Sequence, residues 1–326
     1  MTLPPVRCQN QTPSPIRNCA VSISRRHFNK AVVGASTLLA LGSRSALAAT
    51  EPLISRPIPS TGESVPIVGI GTNRYGVGAD DELRAPLREA LGTFHELGGT
   101  MIDTAPGYRS SEMVLGELME DLSIQKELFL ATKVDVEGAE ACAERMQGSM
   151  ARLNTDKMDL MQVHNFVGWE EALPVMQEWK QDGRIRYIGI TTSRERQYEL
   201  MEKVMLQYEL DFIQVNYSLA NQRQSAERII PLAADRGMAV IANRPFGGGG
   251  VFKVLSKTSI PDWASDFGAL SWGQFLLKYV LSNPAVTCAI PGMTKQHHVV
   301  DNLAAAQSPL PTDNQRQQME LFFNQL

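Results

Sequence analysis

Thr100-Met101-Ile102-Asp103-Thr104-Ala105-Pro106-Gly107-Tyr108 is the stretch on which the fold turns: an apolar run of strand length that ends in a carboxylate and passes into a loop with proline and glycine. The pattern recurs downstream. Leu128-Phe129-Leu130-Ala131-Thr132 leads into Lys133, and Asp159-Leu160-Met161-Gln162-Val163 leads into His164. In a parallel (β/α)8 barrel the carboxyl ends of all strands open on one face, so polar groups far apart in sequence meet there. The three runs therefore predict a barrel whose mouth carries Asp103, Tyr108, Lys133 and His164.

Working outward, strand-like and helix-like segments alternate. A hairpin-like opening from Leu53 to Pro66, turning at Thr61-Gly62, precedes a first strand at Ile67 to Gly71. Further strands are expected at Ile185 to Gly189, Phe212 to Val215, Ala239 to Ala242 and Val286 to Ile290, which brings the count to eight. Helices are expected near Asp80 to Leu97, from Ser111, Gly138 to Leu153, Trp169 to Gln181, Arg194 to Leu206, Ser225 to Arg236, Gly268 to Leu281 and Gln296 to Ala306. A final amphipathic helix is expected from Thr312 to Leu326. Met113, Leu115, Leu118 and Met119 recur at helical spacing and read as core. No low-complexity linker divides the segment from residue 49 to 326, which has the length that a single (β/α)8 domain needs.

The four polar residues suggest proton donation to a carbonyl. A phenol titrates near pH 10, so Tyr108 becomes a useful acid only beside a cation such as Lys133. Asp103 would hold the ammonium, and His164 would donate a hydrogen bond to the oxygen on which negative charge develops.

At these positions the chain resembles the aldo-keto reductases. Met101 to Glu112 is similar to that family's Asp-Thr-Ala-x-x-Tyr-Gly-x-Ser-Glu motif, with Arg109 in place of the usual glycine. The similarity continues through Ala131-Thr132-Lys133, Asp159 to His164, Ile188-Gly189-Ile190-Thr191-Thr192, Gln214-Val215-Asn216-Tyr217 and Ala289-Ile290-Pro291-Gly292. It covers nearly all of the chain after residue 60. The resemblance implies NAD(P)H-dependent reduction of an aldehyde or ketone, with Asp103, Tyr108, Lys133 and His164 as the catalytic set.

It also implies a cofactor site. Thr191, Thr192 and Gln214 would surround the nicotinamide carboxamide, although the family often has Ser-Asn in place of the two threonines. Asn243, Arg244, Pro245, Phe246, Gly247 and Gly249 follow the seventh strand, where barrels often bind phosphate and where glycine permits close backbone approach. Asn243 departs from the aromatic residue that commonly stacks on the nicotinamide, and Phe246 or Tyr217 would have to supply that packing. Gly292, Met293, Thr294, His298, Asp301 and Asn302 match positions that contact the adenosine end. His298 replaces a frequent arginine, which leaves Lys295 and His298 to meet a 2′-phosphate. NADP(H) is favoured by the resemblance and NAD(H) stays open. Adjacent His297 and His298 should not face one site on a helix, so no metal is expected. Ending soon after its last helix, the chain is expected to lack the long C-terminal loop that covers the pocket in some members.

The first 48 residues read as a targeting segment. Ser24-Arg25-Arg26-His27-Phe28-Asn29-Lys30 resembles a twin-arginine export motif and is followed by a mild apolar stretch, Ala31 to Gly42, and by Ala46-Leu47-Ala48 as a cleavage site. That stretch is too short to span a bilayer. The segment holds six basic residues and no acidic one; with it removed, 25 basic residues face 35 acidic ones over 278 residues, a formal charge of −10. Such a surface argues against nucleic-acid binding. The expectation is export, folded, to the periplasm or another compartment outside the cytoplasm, through the twin-arginine machinery. Of the cysteines that remain, Cys142 lies on a predicted helix and Cys288 in a predicted strand, which suits small buried side chains rather than a disulfide framework.

Two other functions fit parts of this pattern. A barrel lyase would use Lys133 for a Schiff base, which requires a neutral amine not paired with Asp103. A nicotinamide-binding sensor or partner protein would keep the four residues with little turnover.

Overall fold

The structure is a computed structural model that describes residues 52–220, 225, 227–307 and 309–326. The expected export segment, residues 1–48, lies outside the described residues.

Ten strands and ten α-helices follow one another in the described residues. Strands β1 (Ser55–Pro57) and β2 (Ser64–Pro66) pair antiparallel as the expected hairpin, with Gly62 at φ 79° in its turn. Eight parallel strands then adjoin in sequence order: β3 (Ile70–Gly71), β4 (Met101–Asp103), β5 (Phe129–Val134), β6 (Met158–His164), β7 (Ile185–Thr192), β8 (Phe212–Asn216), β9 (Ala239–Asn243) and β10 (Cys288–Ala289). The first and last close on each other. Gly69 N–H donates to Ala289 O at 2.9 Å, Ala289 N–H to Ile67 O at 2.8 Å and Gly71 N–H to Pro291 O at 2.9 Å. A side chain at Gly71 would press on the Ile290 carbonyl, so the seam needs glycine. The seam is joined by isolated bridges, which is why β3 and β10 are shorter than the runs Ile67 to Gly71 and Val286 to Ile290 suggest.

Strand side chains alternate between two environments, as a period of two requires. Met101, Phe129, Leu160, Tyr187, Phe212 and Ile241 fill the lumen in one buried cluster. Ile102, Leu130, Met161, Ile188, Ile213 and Val240 point outward into the cluster shared with the helices. Tyr187 lies between two aromatic neighbours, with ring centroids 5.8 Å from Phe129 and 5.4 Å from Phe212. Each such ring contributes roughly 1.5–3 kcal/mol by leaving water. The hairpin closes the lumen at its amino end. Ile58 and Val65 join the lumen cluster, and Glu63 accepts from Arg186 and, at 2.5 Å, from the Tyr187 hydroxyl. The opposite, carboxyl end is the open one.

The helices cover the outside: α1 (Asp81–Glu96), α2 (Ser111–Leu122), α3 (Ala139–Arg152), α4 (Trp169–Gln181), α5 (Tyr198–Gln207), α6 (Ile229–Asp235), α7 (Val251–Leu255), α8 (Trp272–Leu281), α9 (Gln296–Ala304) and α10 (Asp313–Phe323). Asp80 caps α1 by accepting from Leu83 N–H at 3.1 Å, and Gly98 beyond its end takes φ 87°. Three expected helices start late, the one expected from Arg194 at Tyr198 after a 3₁₀ turn. The helix expected from Gly268 starts at Trp272, because Gly268 at φ 68° ends a preceding 3₁₀ turn and Ser271 caps a new helix through Gln274 N–H at 3.0 Å. The glycine run is followed by the short helix α7, which sequence periodicity did not predict, and α6 begins at Ile229 rather than Ser225. Leu115, Leu118 and Met119 of α2 are buried as expected, Met113 is only half-buried, and Cys142 and Cys288 are buried. No described helix is long and apolar enough to cross a membrane.

Candidate active site

Above the apolar layers the lumen-facing parity continues through Asp103, Lys133, Gln162, His164, Thr191, Gln214 and Asn243. Lys133 Nζ donates to Asp103 Oδ1 at 2.7 Å and to the Thr104 carbonyl at 2.7 Å. Asp103 Oδ2 accepts from Gln214 Nε2 at 2.9 Å and from Gln162 Nε2 at 3.3 Å. Both charged residues are buried. Burial works to lower the Lys133 pKa, but the charge of Asp103, followed by Tyr108 and Glu112, outweighs it and holds the ammonium above its ordinary value. A Schiff-base lysine needs the opposite, so the paired Lys133 argues against the lyase.

Tyr108 reaches this pair from the loop after β4. Its backbone N–H closes a turn on Ala105 O at 3.0 Å, and Ser111 ties the loop to β3 by donating to Thr72 O at 2.9 Å. Gly76 packs so closely on this loop that a side chain there would collide with the Tyr108 carbonyl. Lys133 Nζ stands 5.3 Å from the centre of the Tyr108 ring, and the Tyr108 and His164 rings meet edge-on with centroids 6.2 Å apart. Burial, then the charges of Lys133 and Arg194, push the His164 pKa down to about 4. The imidazole is therefore neutral at pH 7 and keeps one N–H to donate. The predicted four residues meet in one place.

The cofactor residues divide. Thr191 Oγ1 donates to Gln214 Oε1 at 2.7 Å inside the lumen, whereas Thr192 has the other parity. The Thr192 hydroxyl donates to Gln197 and accepts from Arg194 N–H at 3.0 Å, so it does not join Thr191 and Gln214. Tyr217 is not the missing ring: it is buried on the outer side, where its hydroxyl accepts from Arg316 of α10 at 2.7 Å. Phe246 is half-buried and packs on Phe252 of α7, with centroids 5.2 Å apart. Asn243 Oδ1 and Gln162 Oε1 are buried acceptors without a hydrogen-bond partner. Two unsatisfied acceptors at a lumen mouth fit a ligand that brings N–H donors, as a carboxamide does. Beyond Pro245, Gly247, Gly248 and Gly249 take φ 58°, 91° and 89°, and a side chain at Gly249 would meet open space.

At the expected adenosine end, Gly292 bridges to Gly71 and Thr294 is half-buried. The Met293 side chain is core, and its carbonyl accepts from Tyr75 Oη at 2.9 Å. Asp301 is engaged elsewhere: Ser271 Oγ and Gln274 Nε2, both at 2.8 Å, use its carboxylate to secure the start of α8. Asn302 is buried beside it. His298 is exposed, and burial, then His297 and Lys295, lower its pKa below the usual 6.5. The His297 and His298 rings lie 4.2 Å apart, contrary to the expectation that neighbours on a helix diverge. They still form no group of three metal-ligating residues among those described.

Three contributors had no role in the sequence reading. Gln162 braces Asp103, and its parity with His164 is the signal that could have found it. Glu112 is buried and accepts from Thr132 Oγ1 at 2.5 Å and from Arg152 Nε at 2.9 Å, which fixes the start of α2 against β5 and α3. The third is conformational. Arg109, Asn165, Phe166 and Arg244, all in loops that follow barrel strands, take positive φ values of 56°, 54°, 62° and 49°. Such backbone costs roughly 1–2 kcal/mol per residue and tends to cluster where a site requires it.

The profile of the Aldo/keto reductase family matches residues 67–321. This chain belongs to that family. Methylglyoxal reductase YeaE of Escherichia coli K12 is 29% identical over 254 residues, spanning 76% of this chain and 87% of that protein. An NADH-specific methylglyoxal reductase of the same organism is 25% identical over 302 residues, spanning 78% of this chain and 89% of that protein. Among solved structures, an aldo/keto reductase from Klebsiella pneumoniae in complex with NADP and acetate superposes with a TM-score of 0.69 at 25% identity, covering 80% of this chain and 93% of that one. The protein is thus an aldo/keto reductase on a (β/α)8 barrel, an NAD(P)H-dependent oxidoreductase acting on carbonyl compounds.

Proposed function

We propose that this aldo/keto reductase reduces an aldehyde or ketone with Tyr108 as the general acid. The observation that carries the reading is the meeting of Tyr108 with Lys133, Asp103 and His164 at the open end of the barrel. A reduced nicotinamide supplies the hydride when bound. The substrate oxygen sits between the Tyr108 hydroxyl and the neutral His164, which donates to it as negative charge builds. Tyr108 Oη then gives its proton to that oxygen, and the phenolate left behind faces the Lys133 ammonium, itself neutralised by Asp103. Gln162 and Gln214 keep the Asp103 carboxylate in place. Steady-state turnover of a panel of aldehydes with NADPH and NADH tests this reading against a sensor with little turnover.

The nucleotide lies, in this proposal, along Thr191, Gln214, Asn243 and the loop from Arg244 to Gly249, with its adenosine end toward Gly292, Thr294, His298 and Asn302. Asn243 Oδ1, a buried acceptor lacking a partner, suits a carboxamide N–H better than a stacked ring. NADP(H) is preferred, with Lys295 and His298 meeting the 2′-phosphate. Because the His298 pKa lies below its usual value, NADPH affinity should rise only as pH falls below about 6.5, while NADH affinity stays flat. His298→Arg should tighten NADPH binding at pH 8 about tenfold, equivalent to about 1.4 kcal/mol, by adding a permanent charge. Titration of both nucleotides at pH 6 and pH 8 checks this. Equal affinities insensitive to pH and to the substitution would remove the 2′-phosphate role of His298.

The localisation we propose is outside the cytoplasm, reached folded by the twin-arginine route that Arg25-Arg26 and Ala46-Leu47-Ala48 suggest. Replacing both arginines with lysine should leave a longer precursor in the cytoplasm. Unchanged export, or a mature protein that does not begin at Ala49, counts against the assignment.

A further inference from the structure

The mouth of the barrel carries cations that form no ion pair among the described residues. Arg84, Arg88, Arg145, Arg152, Arg186 and Arg228 each hold a carboxylate. Arg109 and Arg194 are exposed and form no ion pair among the described residues. Arg109 directly follows Tyr108 and occupies left-handed backbone at φ 56°, where glycine would sit without strain. Arg194 lies two residues past β7, anchored by its backbone N–H to Thr192 Oγ1, and its charge reaches His164. The two guanidinium groups thus belong to the loops beside the two groups that meet the carbonyl oxygen. The loops 104–110, 165–168, 244–250 and 290–295 contain no acidic residue, and in the Arg194 loop one carboxylate, Glu195, stands between two arginines, Arg194 and Arg196, although residues 49–326 together carry a formal charge of −10. Glu137 follows β5. Asp135, which follows β5, is paired with Arg145 at 3.3 Å. A local positive field on an acidic protein focuses anions at that point.

We propose that Arg109 and Arg194 form an anion-recognition wall at the barrel mouth, and that the carbonyl substrate bears a carboxylate. The inference rests on the reading in which Tyr108 and His164 receive the carbonyl oxygen. With that oxygen fixed, the rest of the substrate projects outward, where a guanidinium can take a carboxylate through two parallel hydrogen bonds. The nucleotide phosphates are assigned to other loops, those carrying Arg244 and Lys295.

The test compares 4-formylbenzoate with its methyl ester as substrates of the full chain loaded with NADPH. The ester has the more reactive carbonyl, so chemistry alone favours it. The wild type should show kcat/KM about tenfold or more higher for the acid, an advantage that shrinks with added salt. Arg109→Gly, Arg194→Gln and the double variant should bring the ratio toward one, mainly through KM, while the ester and NADPH affinity change by less than about threefold. Arg109→Gly should not lower the melting temperature, because glycine relieves the backbone. A wild-type ratio of one or below, or variants that lose NADPH affinity instead, overturns the proposal. If neither compound is reduced, the reductase reading fails, and calorimetric titration of benzoate against benzamide into the nucleotide-loaded protein decides the wall by itself. Benzoate preference lost in the double variant upholds it, and equal binding of the two overturns it.

Discussion

Tyr108→Phe is expected to lower kcat for carbonyl reduction by about 10²-fold or more while leaving nucleotide affinity and melting temperature near those of the wild type. The ring keeps its edge-on contact with His164 and its place near Lys133, so only the transferable proton is lost. Lys133→Met should lower kcat through the same proton, because the developing phenolate loses the ammonium that faces it. The two losses should not add. A double variant little worse than either single one places Tyr108 and Lys133 in one step, whereas multiplied losses assign them separate work. Near-normal kcat in Tyr108→Phe removes the tyrosine from the mechanism.

Lys133→Met should also destabilise the fold by about 3–5 kcal/mol, because it strands the buried Asp103 carboxylate with only the Gln162 and Gln214 amides as donors. Adding Asp103→Asn should recover most of that loss, since the remaining groups are neutral. Urea denaturation of the two single variants and the double measures the coupling. Independent, additive effects contradict a buried ion pair as the support of the site. The sign with pH follows from Lys133. Its folded pKa is raised, so its contribution is complete below the ordinary value of 10.5 and is lost only as pH climbs through the folded value.

Much of the site was legible because strand ends announce themselves. Asp103, Lys133 and His164 each close an apolar run, and a barrel brings such ends together whatever the loops do. The hairpin was legible from its turn, though not its task of sealing the lumen, which depends on Glu63 meeting Arg186 and Tyr187 across the fold. The different side-chain environments of Thr191 and Thr192 follow from parity, which adjacency hides: Tyr187, Gly189 and Thr191 share one face of β7, and Thr192 has the other. The second task of Asp301, securing the start of α8, was not legible, because its two partners are the cap residue Ser271 and Gln274, about 30 positions away. The Tyr217 contact with Arg316 joins residues 99 positions apart, and no local pattern encodes it.

The central claim is hydride transfer to a carbonyl with Tyr108 as acid, and isotope transfer tests it most directly. Reduced nucleotide deuterated at the transferring ring carbon would be mixed with an excess of the purified full chain and a limiting aldehyde, and the product examined by mass and NMR. The account predicts one deuterium on the carbinol carbon of the wild-type product, formed about 10²-fold or more slowly by Tyr108→Phe. An alcohol without deuterium, or equal rates in the two proteins, would contradict it.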